Sequence, residues 1–189
     1  MRAATAPTVT AMELRLEEPA DHDAVEDVHR QAFGADGEHV AGLARGLRSL
    51  LSPTSGLSLV AVDGGQIVGH VLFTRSILDA PKRLVDVLVL SPVGVLPSHQ
   101  RRGVGSALID RGLELADEQG APAVFLEGPP GYYARFGFAP GEPLGFRKPS
   151  LRIPDAAFQV RLLSGHEPTM TGTLVYSDVF WRHDAVGLR

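Results

Sequence analysis

The sequence predicts one mixed α/β (α+β) domain over residues 11–189, in which helices flank a central sheet of about six to seven strands. Three observations support this class. Strand-like alternation and helical periodicity follow each other along the chain. A strand–helix–strand unit over 84–126 implies a parallel pair with a right-handed crossover, and 189 residues with 44% hydrophobic side chains suit one core. Residues 1–10 have little to bury and are expected to form a flexible tail.

The first elements are a strand and two helices. Residues 11–16 alternate as a strand, and a helix over about 21–33 ends at Gly34. A second helix over about 38–51 has apolar residues at helical spacing, and Pro53 stops it.

Extended segments come next in the chain. Strands at 57–62 and 66–77 are joined by Asp-Gly-Gly at 63–65, which predicts a tight hairpin. Residues 84–95 form a long apolar strand. Ser-Pro-Val-Gly at 91–94 interrupts it, because proline cannot donate to a ladder and glycine weakens one, so a bulge or kink is expected there.

The second half opens with the most regular helical pattern in the chain. An amphipathic helix over 103–119 ends at Gly120, and a short buried strand follows at 123–126. The remaining expected elements are a short helix at about 130–135 and strands at 136–139, 158–163 and 173–176.

The composition excludes several classes of function. The chain has no cysteine, which removes disulfides, thiolate metal sites and cysteine nucleophiles. The seven histidines show no ligand spacing, so no metal is expected. A net charge of −4 without a basic stripe disfavours nucleic acid, and no segment resembles a membrane span or a signal peptide. These features indicate a cytoplasmic protein.

Candidate chemistry is concentrated in the Gly-rich turn Gln-Arg-Arg-Gly-Val-Gly-Ser at 100–106. Gly103 and Gly105 allow a ligand to approach the backbone closely. The first helical amides are free donors at the positive end of the helix dipole, and Arg101 and Arg102 add charge, so the turn suits a pyrophosphate. Taken alone, the motif favours a purely structural strand-to-helix turn with solvated arginines. Complete P-loop and Rossmann patterns are missing from the sequence.

In its context this turn resembles a known family. LSPVGVLPSHQRRGVGSALI at 90–109 is similar to motif A of the GNAT superfamily of acetyl-CoA-dependent N-acetyltransferases. YYARFGF at 132–138 matches the Y-x-x-x-G-F element of that family, and the order of elements over about 11–140 agrees with its fold. AFQVRLL at 157–163 and GTLVYSDVF at 172–180 are similar to the YhbS-like branch.

The resemblance implies direct transfer of an acetyl group from acetyl-CoA to a primary amine of a small molecule or a protein. It also implies a GNAT-like fold in which a kinked fourth strand splays from a parallel fifth strand, with the pantetheine arm in the gap. An amide near Val95 would polarise the thioester carbonyl. The residues that the resemblance assigns to acetyl-CoA are Val93, Gly94, Val95, Gln100, Arg101, Arg102, Gly103, Val104, Gly105 and Ser106.

Two residues are assigned to catalysis. Tyr133 matches the family's general acid, which protonates the departing CoA thiolate, and packing in the core is the alternative. An amine arrives largely as ammonium, because the pKa of a lysine amine is roughly 10.4. Glu127, at the end of the fifth strand, is the first candidate for the base, and capping of the next turn is the alternative. Asp86, His70 and His99 are weaker candidates.

The acceptor is not identified by the sequence. The resemblance places it against the first two helices and the late loops, which gives Phe33, Glu38, His39 and Glu127 as contacts to test. A non-catalytic GNAT-like module that binds acyl-CoA as a sensor is the alternative function, and an interaction domain without CoA is a third. The apolar C-terminal strands are compatible with a homodimer.

Overall fold

The computed structural model describes residues 12–53 and 55–187, so the expected tail of residues 1–10 lies outside the described part of the chain. The strands are β1 (Glu13–Leu16), β2 (Leu57–Asp63), β3 (Gln66–Asp79), β4 (Leu84–Val95), β5 (Ala123–Glu127), β6 (Ala139–Pro140), β7 (Phe146–Arg147), β8 (Phe158–Leu162) and β9 (Gly172–Val175). The helices are α1 (His22–Phe33), α2 (Gly37–Arg48), α3 (Val104–Glu118), α4 (Pro130–Tyr133) and α5 (Asp178–Arg182).

The described strands form one mixed sheet with the order β1-β2-β3-β4-β5-β8-β6. β4 and β5 run parallel on either side of the α3 crossover, and their other partners in this order are antiparallel. β9 pairs with the end of β3, and β7 pairs with β9. The expected fold class is confirmed. The sheet has nine strands instead of about six to seven, because β6 and β7 are two residues long and too short to give an alternating pattern.

The β2–β3 hairpin forms where the sequence predicts it. Asp63 is paired with Gln66, and the two residues between them are glycines. Gly64 and Gly65 have φ of 58° and 83°. A two-residue turn with both φ values positive matches the twist of the flanking strands, and glycine adopts that conformation without steric cost.

The first two helices lie in sequence before the hairpin. α1 ends at Phe33, and Gly34, the residue after it, has φ of 55°. α2 ends at Arg48, three residues earlier than expected. The amides of residues 49–51 donate to carbonyls three residues back, so the last turn is tightened into a 3₁₀ conformation instead of continuing the helix.

The expected strand at 136–139 is wrong over its first three residues. Phe136 ends a 3₁₀ turn, Gly137 has φ of 79°, and β6 begins only at Ala139. Tyr133 and Phe136 both pack into the same core cluster, which the turn permits. The sequence patterns also gave no indication of α5 or β7.

The core consists of two clusters that use alternate residues of the central strands. Phe73 belongs to the cluster beneath α3, whereas its neighbour Leu72 belongs to the cluster that contains Phe125 and Phe180. Successive strand residues face opposite sides of a sheet, so the two clusters lie on opposite sides at β3, whereas at β2 the first cluster includes the consecutive residues 59–61 and reaches both sides. α3 approaches the sheet so closely that a Cβ on Gly112 would lie 2.2 Å from Phe73 Cε2.

Candidate functional site

The candidate site begins where β4 and β5 separate. Within the described residues the two strands pair at only two positions, the second of which is Val89 opposite Phe125. Beyond it, β4 continues along β3 as far as Val95, whereas β5 continues along β8. The edge of β4 that faces β5 therefore has no strand partner over residues 91–95, and an unpaired edge can bind an extended ligand through its backbone groups.

A bulge in β4 lies at this separation. Leu90 and Val93 pair with β3 residues that are two apart, so residues 91–92 together oppose one residue of β3. The extra residue inverts the alternation of side chains along the strand. The interruption expected at 91–94 is confirmed.

The inversion places small and apolar groups around the open edge. Val93 and Val95 pack against the core cluster beneath α3. Gly94 faces α1, where a Cβ would lie 2.7 Å from His29 Nδ1. A larger residue at position 94 would displace either α1 or the strand, which explains the glycine.

The Gly-rich turn leads directly into α3. Gly103 is the N-cap with φ of 86°, and Arg101 also has a positive φ, of 60°. No side chain caps the helix, so the amides of residues 104–106 point outward without a capping acceptor. Arg101 and Arg102 are exposed beside them. The turn thus provides the donors and the charge that a phosphate group requires.

Two further residues of the motif have structural roles in the turn. Gln100 Nε2 donates to the carbonyl oxygen of Val95 at 3.1 Å, which ties the loop to the end of β4. The Val104 side chain is buried in the core, so only its backbone faces the turn. Ser106 is half-buried on the first turn of α3.

Tyr133 lies on α4, beyond the end of β5. Its ring is buried and packs so tightly on Gly128 that a Cβ there would lie 2.3 Å from Tyr133 Cε2. Phe138 meets the same ring edge-on, at 6.0 Å between centroids. Burial raises the pKa of Tyr133 to about 12. The phenol therefore keeps its proton at neutral pH.

Tyr132 is the tyrosine that reaches toward α3. Its hydroxyl would lie 3.5 Å from a Cβ on Gly105, and its ring carries the Arg135 guanidinium 4.3 Å from the centroid. A cation over an aromatic face is attracted to the ring. Tyr132 is half-buried on α4, and its hydroxyl lies beside the Gly-rich turn.

Glu127 ends β5 on the other side of the sheet from Tyr133. Its two oxygens accept hydrogen bonds of 2.9 Å from the Tyr176 hydroxyl and from the Gly187 amide. Burial raises the pKa of Glu127, and these two bonds oppose the rise without cancelling it. The carboxylate is therefore a stronger base than an ordinary glutamate.

Glu127 lines a cavity of about 370 Å³ at the separation of β4 and β5. Val89 and Ser91 of β4 form the floor with it, while the junction of α1 and α2 and the C-terminal segment form the sides. Pockets of this size suit small molecules, because ligand sites span about 300–1,000 Å³.

The structure brings together three of the four expected acceptor contacts. Phe33, His39 and Glu127 all line the cavity. Glu38 does not, because its carboxylate accepts a hydrogen bond of 2.7 Å from Arg30 Nε on the exposed side of the helices.

The weaker base candidates lie elsewhere. Asp86 is near the start of β4 and pairs with Arg75 at 2.6 Å in solvent. His99 lies 3.4 Å from Asp63, beside the hairpin. His70 is fully buried, and none of the three lines the cavity at β4 and β5.

His70 belongs to a buried chain of polar groups that the sequence patterns did not reveal. The Ser58 hydroxyl donates to Glu17, so Ser58 Oγ must accept from His70 Nε2–H at 2.8 Å. His70 Nδ1 is then an acceptor and binds His29 Nε2–H at 2.7 Å. Arg48 closes the chain with bonds of 2.7 and 3.1 Å to Glu17.

Both histidines of this chain are neutral. Burial lowers the pKa of His70, and burial together with the neighbouring imidazole lowers the pKa of His29 to about 2. His29 Nδ1 has no hydrogen-bond partner among the described residues and lies against Gly94. These hydrogen bonds thus connect Arg48 of α2, through Glu17 and the sheet, to His29. His29 in turn lies against Gly94 of β4, the strand that carries the unpaired edge.

Two features are absent from residues 12–53 and 55–187. No helix there is long and apolar enough to cross a membrane. In the same residues, no three His, Asp or Glu side chains are grouped as they would be around a metal ion.

The geometry defines an α/β protein in which an uncapped helix N-terminus lies beside a sheet that opens between two parallel strands. The chain belongs to the GNAT acetyltransferase family: residues 13–141 match the acetyltransferase (GNAT) domain. YjhQ of Escherichia coli K12, named as an uncharacterized N-acetyltransferase, is 32% identical over 175 residues, which cover 90% of this chain and 95% of YjhQ. YhbS of the same strain is also 32% identical, over 90% of this chain and 99% of YhbS.

Solved structures support the same membership. A crystal structure of YhbS from Escherichia coli in complex with CoA matches with a TM-score of 0.80 and 28% identity, over 95% of this chain and 97% of that chain. A GNAT family acetyltransferase from Brucella melitensis in complex with acetyl-CoA matches with a TM-score of 0.69 and 30% identity, over 89% of this chain and 97% of that chain. The expected family and branch are confirmed.

Proposed function

We propose that this protein is an N-acetyltransferase that moves an acetyl group from acetyl-CoA to a primary amine. The observation that carries the proposal is the unpaired edge of β4 over residues 91–95 beside the uncapped N-terminus of α3. An extended amide-bearing arm and a pyrophosphate fit these two features together. Binding of CoA and acetyl-CoA by the two similar solved proteins supports the assignment.

When bound, acetyl-CoA supplies an acetyl group activated as a thioester. The backbone of Val93, Gly94 and Val95 would hold its arm, and an amide of this strand would stabilise negative charge on the thioester oxygen. The amides of residues 104–106 would bind the pyrophosphate, with Arg101 and Arg102 adding charge. Gly103 and Gly105 keep side chains away from that contact.

The chain's own residues supply the proton transfers in this proposal. Glu127 takes a proton from the acceptor ammonium, directly or through one water, because its pKa is raised and it lines the cavity. Tyr133 donates a proton to the departing thiolate, because its phenol is protonated at neutral pH and has no hydrogen-bond partner among the described residues.

Substitution of Gly105 tests the cofactor site without disturbing the fold. A Cβ at this position makes ordinary contacts of 3.5 Å with the Tyr132 hydroxyl and Val95 Cγ2. Gly105→Ala therefore adds only a methyl group. Gly105→Asp adds a negative charge, which the positive end of the helix dipole stabilises. We expect the unliganded Asp variant to be at least as stable as the wild type.

Thermal unfolding with acetyl-CoA separates the variants. At a hundredfold excess over Kd the wild type should gain about 2.7 kcal/mol of stability. Gly105→Ala should show a smaller gain, and Gly105→Asp should show none, because its carboxylate repels the pyrophosphate. A wild type without any gain at millimolar acetyl-CoA would contradict the proposal. Binding without release of CoA thiol to any amine would favour the non-catalytic acyl-CoA module.

A further inference from the structure

The cavity at β4 and β5 has an uneven distribution of charge. Asp36, Glu127 and Asp184 contribute three carboxylates to its wall. Among the described residues that line it, none is lysine or arginine. The remaining polar contribution comes mainly from His39, Ser91 and the Tyr176 hydroxyl.

The carboxylates differ in position and in partners. Glu127 is half-buried at the end of β5, with both oxygens bonded. Asp36 is exposed at the junction of α1 and α2 and has no ion-pair partner within residues 12–53 and 55–187. Asp184 pairs with Arg152 at 2.9 Å, so its charge is offset. The wall therefore has two carboxylates without an ion pair in the described residues, Asp36, which is exposed, and Glu127, on whose charge Arg152 acts without forming an ion pair.

Aromatic side chains complete the surface between these charges. Phe33, Tyr176 and Phe180 line the cavity, and Tyr176 and Phe180 pack with ring centroids 4.7 Å apart. Aromatic faces attract cations and bury the methylene groups of an alkyl amine. A carboxylate-bearing acceptor would meet Asp36 and Glu127 without a basic side chain on the wall to pair with, and like charges repel.

We propose that the acceptor is a small amine that carries a second positive charge and no carboxylate. This inference rests on the proposed acetyl transfer and concerns the same cavity. The reacting amine lies toward Glu127, and the second cation lies toward Asp36 at the rim. Diamines and other compact polycationic amines fit this pattern, whereas free amino acids do not.

Three acceptors of equal length test the charge preference. 1,4-Diaminobutane, butylamine and 4-aminobutanoate each carry a primary amine on a four-carbon chain and differ at the far end, which in the diamine is a second primary amine, so its kcat/KM is compared per amine. We expect kcat/KM, followed by released CoA thiol, to fall in that order, with the diamine at least tenfold above the amino acid. The cysteine-free chain contributes no thiol to this assay. Equal values for the diamine and the amino acid would overturn the inference.

Variants of Asp36 locate the preference. Asp36→Asn should reduce the advantage of the diamine over butylamine, and Asp36→Lys should favour 4-aminobutanoate over the diamine. Asp110→Lys is the matched control, because Asp110 is exposed on α3 and away from the cavity. An Asp36→Lys enzyme with the wild-type order of acceptors would also overturn the inference.

The same assays distinguish failure of the inference from failure of the proposed function. If all three amines are acetylated at similar rates, the function stands and the acceptor class is wrong. If none of the three amines releases CoA thiol although acetyl-CoA raises the unfolding temperature, the inference fails; the transferase function fails with it only if a wider panel of amines also releases no thiol. Thermal unfolding of the CoA complex with each amine gives a binding readout that does not depend on turnover.

Discussion

Burial and hydrogen bonding have opposite effects on the pKa of Glu127. Burial raises its pKa above the ordinary 4.5, and the Tyr176 hydroxyl and the Gly187 amide lower it by part of that rise. As the proposed base it must be deprotonated, so kcat should rise with pH through this raised pKa. We expect Tyr176→Phe to move the rise to higher pH, because a bond that stabilises the carboxylate is lost.

The measurement is kcat against pH at saturating amine, which reports groups in the enzyme–substrate complex. Glu127→Gln should remove the acidic part of the profile. Tyr133→Phe should lower kcat without changing the pH at which kcat rises, since Tyr133 lies on the opposite side of the sheet from Glu127. A Tyr176→Phe profile that is unchanged, or displaced to lower pH, would argue against Glu127 as the base.

In the buried network of polar groups, the pKa of Glu17 is lowered, the reverse of what is found for Glu127. Burial alone raises its pKa, but His70, Arg48 and Ser58 outweigh burial and lower it from 4.5 to about 2. A carboxylate with a lowered folded pKa stabilises the fold above its unfolded pKa, and this stability is lost as pH falls through the folded value. Between pH 5 and 2 the loss should be on the order of 1–3 kcal/mol, less than the full shift implies, because a neutral His70 adds no positive charge.

Denaturant unfolding at pH 7, 4 and 3 tests this contribution. Glu17→Gln should lower the free energy of unfolding at pH 7, because Arg48 loses its buried partner, and should weaken its dependence on acid. Glu118→Gln is the control, since Glu118 is exposed on α3 and its change should be within about 0.5 kcal/mol. Parallel pH dependence in the wild type and Glu17→Gln would show that Glu17 titrates normally.

At the scale of elements, the contact between α3 and β3 depends on the absence of a side chain. A Cβ on Gly112 would lie 2.2 Å from Phe73 Cε2, and the Phe73 ring is fully buried. Gly112→Ala should therefore destabilise the fold by about 1–3 kcal/mol through overpacking. Phe73→Leu in the same chain should recover part of this loss, because it removes the colliding atoms.

Gly42→Ala is the matched control for this prediction. It also adds one methyl group inside a helix, but the nearest atom to the new Cβ is 3.7 Å away, on His183. Alanine is favoured over glycine in a helix by roughly 0.5–1 kcal/mol, so this variant should gain stability. The two Gly→Ala substitutions should thus change the free energy of unfolding in opposite directions. A change in the same direction would show that Phe73 accommodates the added methyl group at position 112.

Elements with a local cause could be predicted from the sequence. The β2–β3 turn needs two positive φ values, and the consecutive glycines Gly64 and Gly65 predict them. The bulge in β4 depends on its own Ser91-Pro92, and the α3 N-terminus on Gly103. The strand expected at 136–139 failed because core packing of Phe136, not local alternation, determines the backbone there.

At the scale of the whole molecule, the parts that escaped prediction depend on contacts between distant residues. Glu127 could be named as a candidate, but its partners Tyr176 and Gly187 are 49 and 60 residues away. His29 and His70 are separated by 41 residues and carry no spacing signal. The cavity is assembled from residues between Phe33 and Gly187, so its charge is visible only after folding.

The separation of β4 from β5 has a consequence for how the molecule avoids self-association. An unpaired strand edge on a protein surface invites the edge of another chain, and many sheets cover or charge such edges to prevent aggregation. Here the edge lies inside the sheet, with β5 diverging beside it and helices on both faces. A second polypeptide strand would need room for side chains on both faces, whereas a slender arm that bears amides needs none. We therefore expect the opening to accommodate the arm of the proposed acetyl-CoA and to exclude the edge strand of another chain.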